Sequence, residues 1–527
     1  MWASPLKTIL STASLLAACG VFTAGAATPI SAADLRLIQR VTFGPTAETL
    51  QTFSREGRHK WLESQLHYVG DQCLPAGIRN RIEKLDIEHD NPAAVWRARQ
   101  AALKEAREQG SQQARMAVRR EYDRQSLAQA FERRTLRALY CSNQLQEKLV
   151  WFWYNHFNIY GHKGITPIFV PDYEEQAIRP HVLGRFQDLL MATLTHPAML
   201  EYLDNARNIK GKPNENYGRE IMELHTMGVD SGYTQHDVQE LAAILSGARF
   251  YVKDKPPRQA RRLSAYYVEH GAFIFDPTRH DAGDKIFLGK PFKGSPGFDE
   301  IERAVATLAR QPATARFISR KLATYFLSDD PPKAVVDQMA QTYMKTDGEI
   351  ASVLRTLFES KLFDANVKPK FKDPVQYIYS SIRLLYGDRV VLNTAPIQRW
   401  IKGLAEAPYG HLTPEGYGMT RGDWANADQL TKRLGYAGQL ASPRNKLFAS
   451  AHSGLAPREN NIALNPASAA YGESISGKST RSYLDNANLQ ALKPIYESPN
   501  LSPLLNKTHR TAQKAALIIS SPAFMEY

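Results

Sequence analysis

No internal run of this 527-residue chain is long and apolar enough to form a membrane-spanning helix. Cysteine is scarce: there are three, none in a C-x₂-C pair, so a cysteine-histidine zinc module is not expected. The chain has no G-x-S-x-G elbow, no phosphate-binding P-loop, no H-E-x-x-H and no Rossmann glycine fingerprint. Those absences remove the familiar signatures of serine hydrolases, P-loop nucleotidases, zincins and dinucleotide enzymes. No helix-turn-helix, zinc finger or other nucleic-acid module is present, and nucleic acid is not an expected partner. Internal repeats and low-complexity linkers are missing too, which favours one large unit over several separable domains.

Hydrophobic residues make up 43% and charged residues 23%, as in an ordinary globular protein. The first residues read as an export signal. Lys7 is followed by the apolar stretch Thr8–Ala18 and then by Leu16-Ala17-Ala18-Cys19-Gly20, which resembles a lipobox with Cys19 as the lipidated residue. Ala24-Gly25-Ala26 offers the competing site for ordinary signal peptidase, so residues 1–26 are set apart as the export segment. Either route takes the chain out of the cytoplasm, to the periplasm or to an outer-membrane lipid anchor. In an oxidising compartment Cys73 and Cys141 are expected either to form one disulfide or to remain two buried thiols. The net charge of +13 suits an anionic envelope polymer, lipopolysaccharide or phospholipid headgroups, or simply keeps the protein soluble.

Periodicity is helical over most of the chain, and the expected fold is mainly α: one helical unit over residues 33–527, with a small antiparallel β-ribbon around residues 250–293. Helices are expected at Leu35–Thr42 and Ala47–Tyr68. Residues 93–138 read as one or two long charged surface helices interrupted near Gly110, with Arg119, Arg120, Arg133 and Arg134 on a solvated or anion-binding face. Residues 143–160 become apolar on every side, so His156 lies at the end of a buried helix. Thr234 and Asp237 have capping-box spacing. Strands are expected at Tyr251-Val252, Ala272–Phe275 and Lys285–Leu288. Gly and Pro make residues 407–423 irregular.

The most informative stretch is Tyr202–Leu241. Glu220 and Glu223 lie three apart, on one helix face, amid Asp204, Asn214, Asn216 and Arg219. Paired carboxylates at this spacing suit a divalent cation, an acid/base pair, or partners for arginines in a buried network. His156 would add an imidazole ligand, giving Glu220, Glu223 and His156 as a candidate metal set. His280 and Asp281 in a turn suggest a carboxylate-held general base or ligand, or merely a turn stabilised by Asp281. Arg219 and Lys285 are candidates for binding an anionic group, and Asp204, Asn214 and Asn216 for positioning.

Several segments together resemble a bacterial family catalogued as domain of unknown function 1800. They are Arg40–Pro45, Trp61–Leu66, Trp153–Phe157, Asn214–Glu220, Tyr233–Asp237 with Val238, His280–Lys285, Leu288-Gly289 and Pro312–Phe317; Lys370, Pro374 and Trp424 fall where the family has similar residues. The match is collinear from about residue 33 to the C-terminus. The chain departs from the pattern at His225, where an aromatic or apolar residue is usual, and at Gly218, where Ala is usual; the first departure counts against a catalytic His225. The resemblance implies a mostly helical exported protein, often encoded beside a sulfatase-like partner, and supplies no activity.

Two functions follow as expectations. One is a metal-assisted hydrolase or transferase acting on an anionic or glycan envelope substrate, with catalytic Glu220, Glu223, His156, His280 and Asp281. The other is a non-catalytic lipoprotein that binds or scaffolds an envelope polymer or a partner enzyme. A membrane is met only through the lipid anchor.

Overall fold

The structure, a computed structural model, describes residues 30–254, 260–365, 368–449 and 484–527. Cys19, the export segment and Pro256-Pro257 lie outside the described residues. The fold is mainly α. It opens with α1 (Ala32–Val41), α2 (Ala47–Glu56) and α3 (Arg58–Gln65). The single helix expected over Ala47–Tyr68 is broken at Gly57, whose φ of 78° lies outside helical space.

Helices α4 (Pro92–Glu108) and α5 (Gln112–Tyr140) form a hairpin turned at Gly110, φ 69°. Arg119 and Arg120 are exposed on it, as a solvated face requires. Arg133 and Arg134 are not: they and Arg137 point into the protein. Arg133 pairs with Glu88 at 2.6 Å, Arg134 with Glu174, and Arg137 with Asp71 and Glu175, each at 2.6 Å. A buried guanidinium must be paired, and α5 is amphipathic with arginine on its inner face. Glu174 and Glu175 come from a π-helical turn, Tyr173–Ile178, of the kind that widens a helix by one residue.

Every residue of α6 (Gln144–His156) is buried. The polar side chains of its first half find partners one by one. Asn143 caps the helix through Gln146 N at 3.1 Å, and Gln146 Oε1 accepts the amides of Val69 and Gly70 at 3.1 Å each. Glu147 accepts two bonds from Arg179 at 2.7 and 3.0 Å, and the Lys148 amine donates to Gln376 at 3.1 Å. Cys73 and Cys141 form a disulfide, Cα–Cα 4.9 Å, beside a small apolar cluster of Leu74, Ile78, Ile82 and Leu136.

Beyond α7 (Phe186–Thr195), α8 (Glu215–Glu220) and α9 (Gln235–Ile244), the chain enters its β region. Strands β1 (Ala248–Phe250), β2 (Val268–His270) and β3 (Phe273–Phe275) form an antiparallel sheet ordered β1-β3-β2. The strand expected at Tyr251-Val252 lies instead at Ala248–Phe250, and β2 and a later strand, Lys290–Phe292, were not expected, because three-residue strands are too short to alternate. Strands β4 (Lys285–Phe287) and β5 (Lys290–Phe292) make a separate hairpin. Its turn residues Leu288 and Gly289 both have positive φ, 51° and 70°, the requirement of a type I′ turn. Leucine resists that conformation. Its amide is held there by a 2.7 Å bond to Asp237 Oδ1, while Asp237 Oδ2 accepts the amide of Thr234 at 2.8 Å to complete the capping box of α9.

The remaining described scaffold includes α10 (Asp299–Ala309), α11 (Pro312–Phe326), α12 (Pro374–Tyr386), α13 (Ala395–Gly403) and α14 (Ala427–Ala441). One contiguous apolar core joins residues from Leu37 to Met525. Among the described residues no helix is long and apolar enough to cross a membrane.

Candidate functional sites

Glu220 ends α8, and the next six residues, Ile221–Thr226, form a second π-turn that carries Glu223 and His225. Both glutamates are half-buried. Burial, then the charges of Glu223 and Glu415, hold the Glu220 carboxyl above the usual range, with Arg219 opposing. Glu415 comes from a strap over residues 405–418 that closes on the end of α6. Asn155 Oδ1 accepts the amide of Tyr417 at 2.7 Å, Asn158 donates to Thr413 O at 2.8 Å, and the Tyr202 hydroxyl donates to Leu412 O at 2.8 Å. Ala405 and Tyr409 in this strap have φ of 67° and 64°, a conformation that costs on the order of 1–3 kcal/mol each unless the surroundings impose it.

The other residues predicted around the glutamates mostly brace the backbone. Asn214 accepts the amide of Asn216 at 3.1 Å and donates to Asp204 O at 3.1 Å, and Asn216 donates to Leu203 O at 3.4 Å. Asp204, φ 60°, holds Lys163 at 2.9 Å. Arg219 reaches outward to Gln235 at 2.7 Å.

His156 does not join the glutamates. Its Nε2 faces the carbonyl oxygen of His225 at 3.0 Å, so Nε2 carries the proton and Nδ1 is left as a buried acceptor without a bond. Burial, then Lys321 and His225, pushes the His156 ring well below its ordinary pKa; His225 is pushed down to about 3 by burial and Lys321. The expected metal set is therefore corrected. The ligand atoms of Glu220, Glu223 and His156 do not all lie within 4.8 Å of one another, because His156 is tied to a backbone carbonyl inside the aromatic core.

His280, Asp281 and Lys285 form a third, separate group. His280 Nδ1 meets Ser246 O at 2.8 Å and Nε2 meets Glu300 Oε2 at 2.6 Å, both side chains being fully buried. Lys285 Nζ donates to Glu300 Oε1 at 2.9 Å and to the carbonyls of Asp281 and Gly283 at 2.7 and 2.8 Å. Asp281 turns away and accepts the amide of Gly283 at 3.0 Å. The partner that orients His280 is thus Glu300 on α10, and Asp281 shapes the turn. Both functional nitrogens of His280 and the Lys285 amine are used up inside this network.

A cavity of about 900 Å³ lies elsewhere, between the start of α4, the end of α7 and the β1-β3-β2 sheet. Tyr251 and Phe298 offer half-buried aromatic faces, and Asp172, Gln176 and Glu269 supply polar edges. His196 and Asp172 are paired on its wall, Nε2 to Oδ2 3.0 Å. His196 Nδ1 accepts the amide of Ala198 at 3.2 Å, so Nε2 carries the proton that Asp172 receives. Neither nitrogen is left to take a proton from a substrate, and the pair is a fixed wall of the cleft.

The profile of the family described as Protein of unknown function (DUF1800) matches residues 36–526. The chain belongs to that family. No curated protein and no solved structure matches it.

One of the segments that carry the DUF1800 resemblance has a plain structural reason. Gly44 sits at φ 107° with a Cβ-equivalent position only 2.8 Å from Ser380 Cβ, so a larger residue meets both strain and a clash. Gly218, where the family usually has alanine, lets α8 lie close against α9: an added Cβ would be 3.1 Å from Val238 O and 3.3 Å from Ala242 N, so alanine here goes with a slightly wider helix spacing. The cleft itself had no signal in the DUF1800 sequence. His196, Asp172, Tyr251 and Phe298 are scattered over more than a hundred positions without motif spacing, and Glu300 and Glu415 gave no sign of their partners.

Proposed function

We propose that this is an exported cell-envelope protein that binds a glycan chain in the 900 Å³ cleft. The observation behind this reading is the cleft's make-up. Its volume suits a short oligosaccharide. Tyr251 and Phe298 present apolar faces for the C–H side of a sugar ring, and Asp172, Gln176 and Glu269 present acceptors and donors for hydroxyls. Export is supported by the N-terminal signal and by the Cys73–Cys141 disulfide, which belongs in an oxidising compartment. A lipid on Cys19 would hold the cleft near the envelope surface, where a sulfatase-like partner would share the polymer. The test is binding of the mature protein to envelope glycan fractions by affinity electrophoresis. Wild type is retarded and Tyr251→Ala is not, the substitution being confined to Tyr251 because the Phe298 ring also packs on Phe273 and Phe275. Failure of wild type to bind any glycan fraction rejects the reading.

A second reading, hydrolase or transferase action on the same class of substrate, is favoured by one observation. Glu220 holds its proton more tightly than an ordinary carboxyl, next to Glu223 and Glu415, the asymmetry that acid/base pairs use. Glu220→Gln would abolish turnover of a glycan and spare binding. A variant that still complements a deletion strain removes this second role.

A further inference from the structure

A second open groove, of about 650 Å³, runs between α13 and α14 and the turn that follows α14. It is unlike the cleft. Arg399, Arg444 and Lys446 line it, and no carboxylate does. All three cations are exposed, and none has an ion-pair partner among the described residues. Arg107, Arg115 and Arg119 of the α4–α5 hairpin also lack ion-pair partners among the described residues, so unpaired charge alone does not set the groove apart; its construction does.

The groove is also built rather than merely charged. Asn445 donates to Leu440 O at 3.0 Å and accepts the amide of Leu447 at 3.0 Å, while Leu447 O accepts the amides of Leu392 and Asn393 at 2.8 and 3.0 Å. These bonds fix the turn and hold Lys446 at φ 64°, a conformation lysine rarely adopts. The buried Trp400 ring is anchored by its Nε1 to Gln439 Oε1 at 2.9 Å, which leaves the Gln439 amide group to donate. Along α14 the floor consists of Gly435 and Gly438, where an added Cβ would meet nothing within 4 Å. No neighbour requires glycine there, and glycine weakens a helix interior. An exposed glycine floor does let a ligand approach the helix backbone.

We infer that this groove binds an oxyanion-bearing chain, one that carries phosphate or sulfate groups spaced along an extended oligomer. Arg399 and Arg444 supply forked donors that match such groups, and Lys446 supplies a point charge. Tyr436 and Trp400 flank the path of the chain. The inference stands apart from the glycan cleft, since the two share no lining residue.

The test is titration calorimetry of the full mature chain at low salt with two probes, inorganic tripolyphosphate and a short heparin-derived oligosaccharide. Their relative affinities tell phosphate from sulfate as the preferred group. Arg399→Glu/Arg444→Glu removes the groove's cations. Arg115→Glu/Arg119→Glu makes the same change in net charge on the exposed α4–α5 hairpin, where a smaller basic hollow of about 300 Å³ has no aromatic lining. All four positions are exposed, so both variants keep the fold. Wild type is expected to bind at least one probe with one site per chain. The groove variant should bind at least about ten-fold more weakly, the loss of one or more charge-assisted contacts, and the hairpin variant within about two-fold of wild type. Equal losses in both variants would mean that net charge alone attracts the probes and would overturn the inference, as would no binding by wild type.

Discussion

Glu300 lies between His280 and Lys285, taking His280 Nε2 on one carboxylate oxygen at 2.6 Å and Lys285 Nζ on the other at 2.9 Å, with all three side chains buried. The carboxylate is the keystone of this trio: without it, a lysine amine and an imidazole are left in the interior with too few acceptors. Glu300→Gln should therefore destabilise the protein by about 3–5 kcal/mol. Replacing all three residues together with apolar side chains of similar volume should recover most of that loss, since no uncompensated charge is then buried. Urea unfolding of the two variants checks this. A Glu300→Gln protein as stable as wild type would show that the trio is not the structural unit described here.

The arginine network around the π-turn Tyr173–Ile178 makes part of the protein's stability sensitive to acid. Burial alone would raise the Glu175 carboxyl, but Arg133, Arg137 and Arg179 outweigh it and pull it down from the ordinary 4.5 to about 2. The folded state thus binds this proton more weakly than the unfolded chain. The stability it contributes is complete above about pH 4.5 and is lost as pH falls towards about 2. Glu175→Gln should lower stability at neutral pH and flatten the stability curve between these values. Thermal unfolding of both proteins across that range measures the difference.

The Cys73–Cys141 bond joins residues 68 apart and ties the segment before α4 to the end of α5. Closing a loop of that size is worth about 4 kcal/mol by restricting the unfolded chain. Cys73→Ala/Cys141→Ala should lose about 2–4 kcal/mol, and reductant should lower the melting temperature of wild type but not of the variant. A variant as stable as wild type in both conditions contradicts the bond's role.

These positions show what a sequence can and cannot carry. Helix content, the Gly110 break, the capping box at Thr234 and the burial of α6 follow from local chemistry: period, turn residues and caps three residues apart. The partners of polar groups are set by tertiary approach. His280 found Glu300 twenty positions on rather than the adjacent Asp281, because successive residues of an extended turn point in different directions. Arg133 and Arg134 belong to a charged helix whose composition reads as surface, yet carboxylates arriving from the π-turn and from Glu88 made their burial possible. Glu220 and Glu223 were brought close to a third carboxylate, Glu415, by a strap some two hundred residues away.

The glycines of α14 separate folding from binding most sharply. Gly435 and Gly438 lie inside a helix, have helical rather than positive φ, and face open space. Alanine at either position adds no clash and removes the backbone freedom that an unfolded glycine enjoys, worth up to about 1 kcal/mol each. Gly435→Ala/Gly438→Ala should therefore raise the unfolding free energy, measured by chemical denaturation, by about 1–2 kcal/mol. The fold would gain from a change that this chain does not carry, which is the pattern expected where an exposed helix backbone serves a ligand. If the double variant is instead less stable than wild type, the glycines are needed by the fold, and the floor of the groove gives no support to ligand binding.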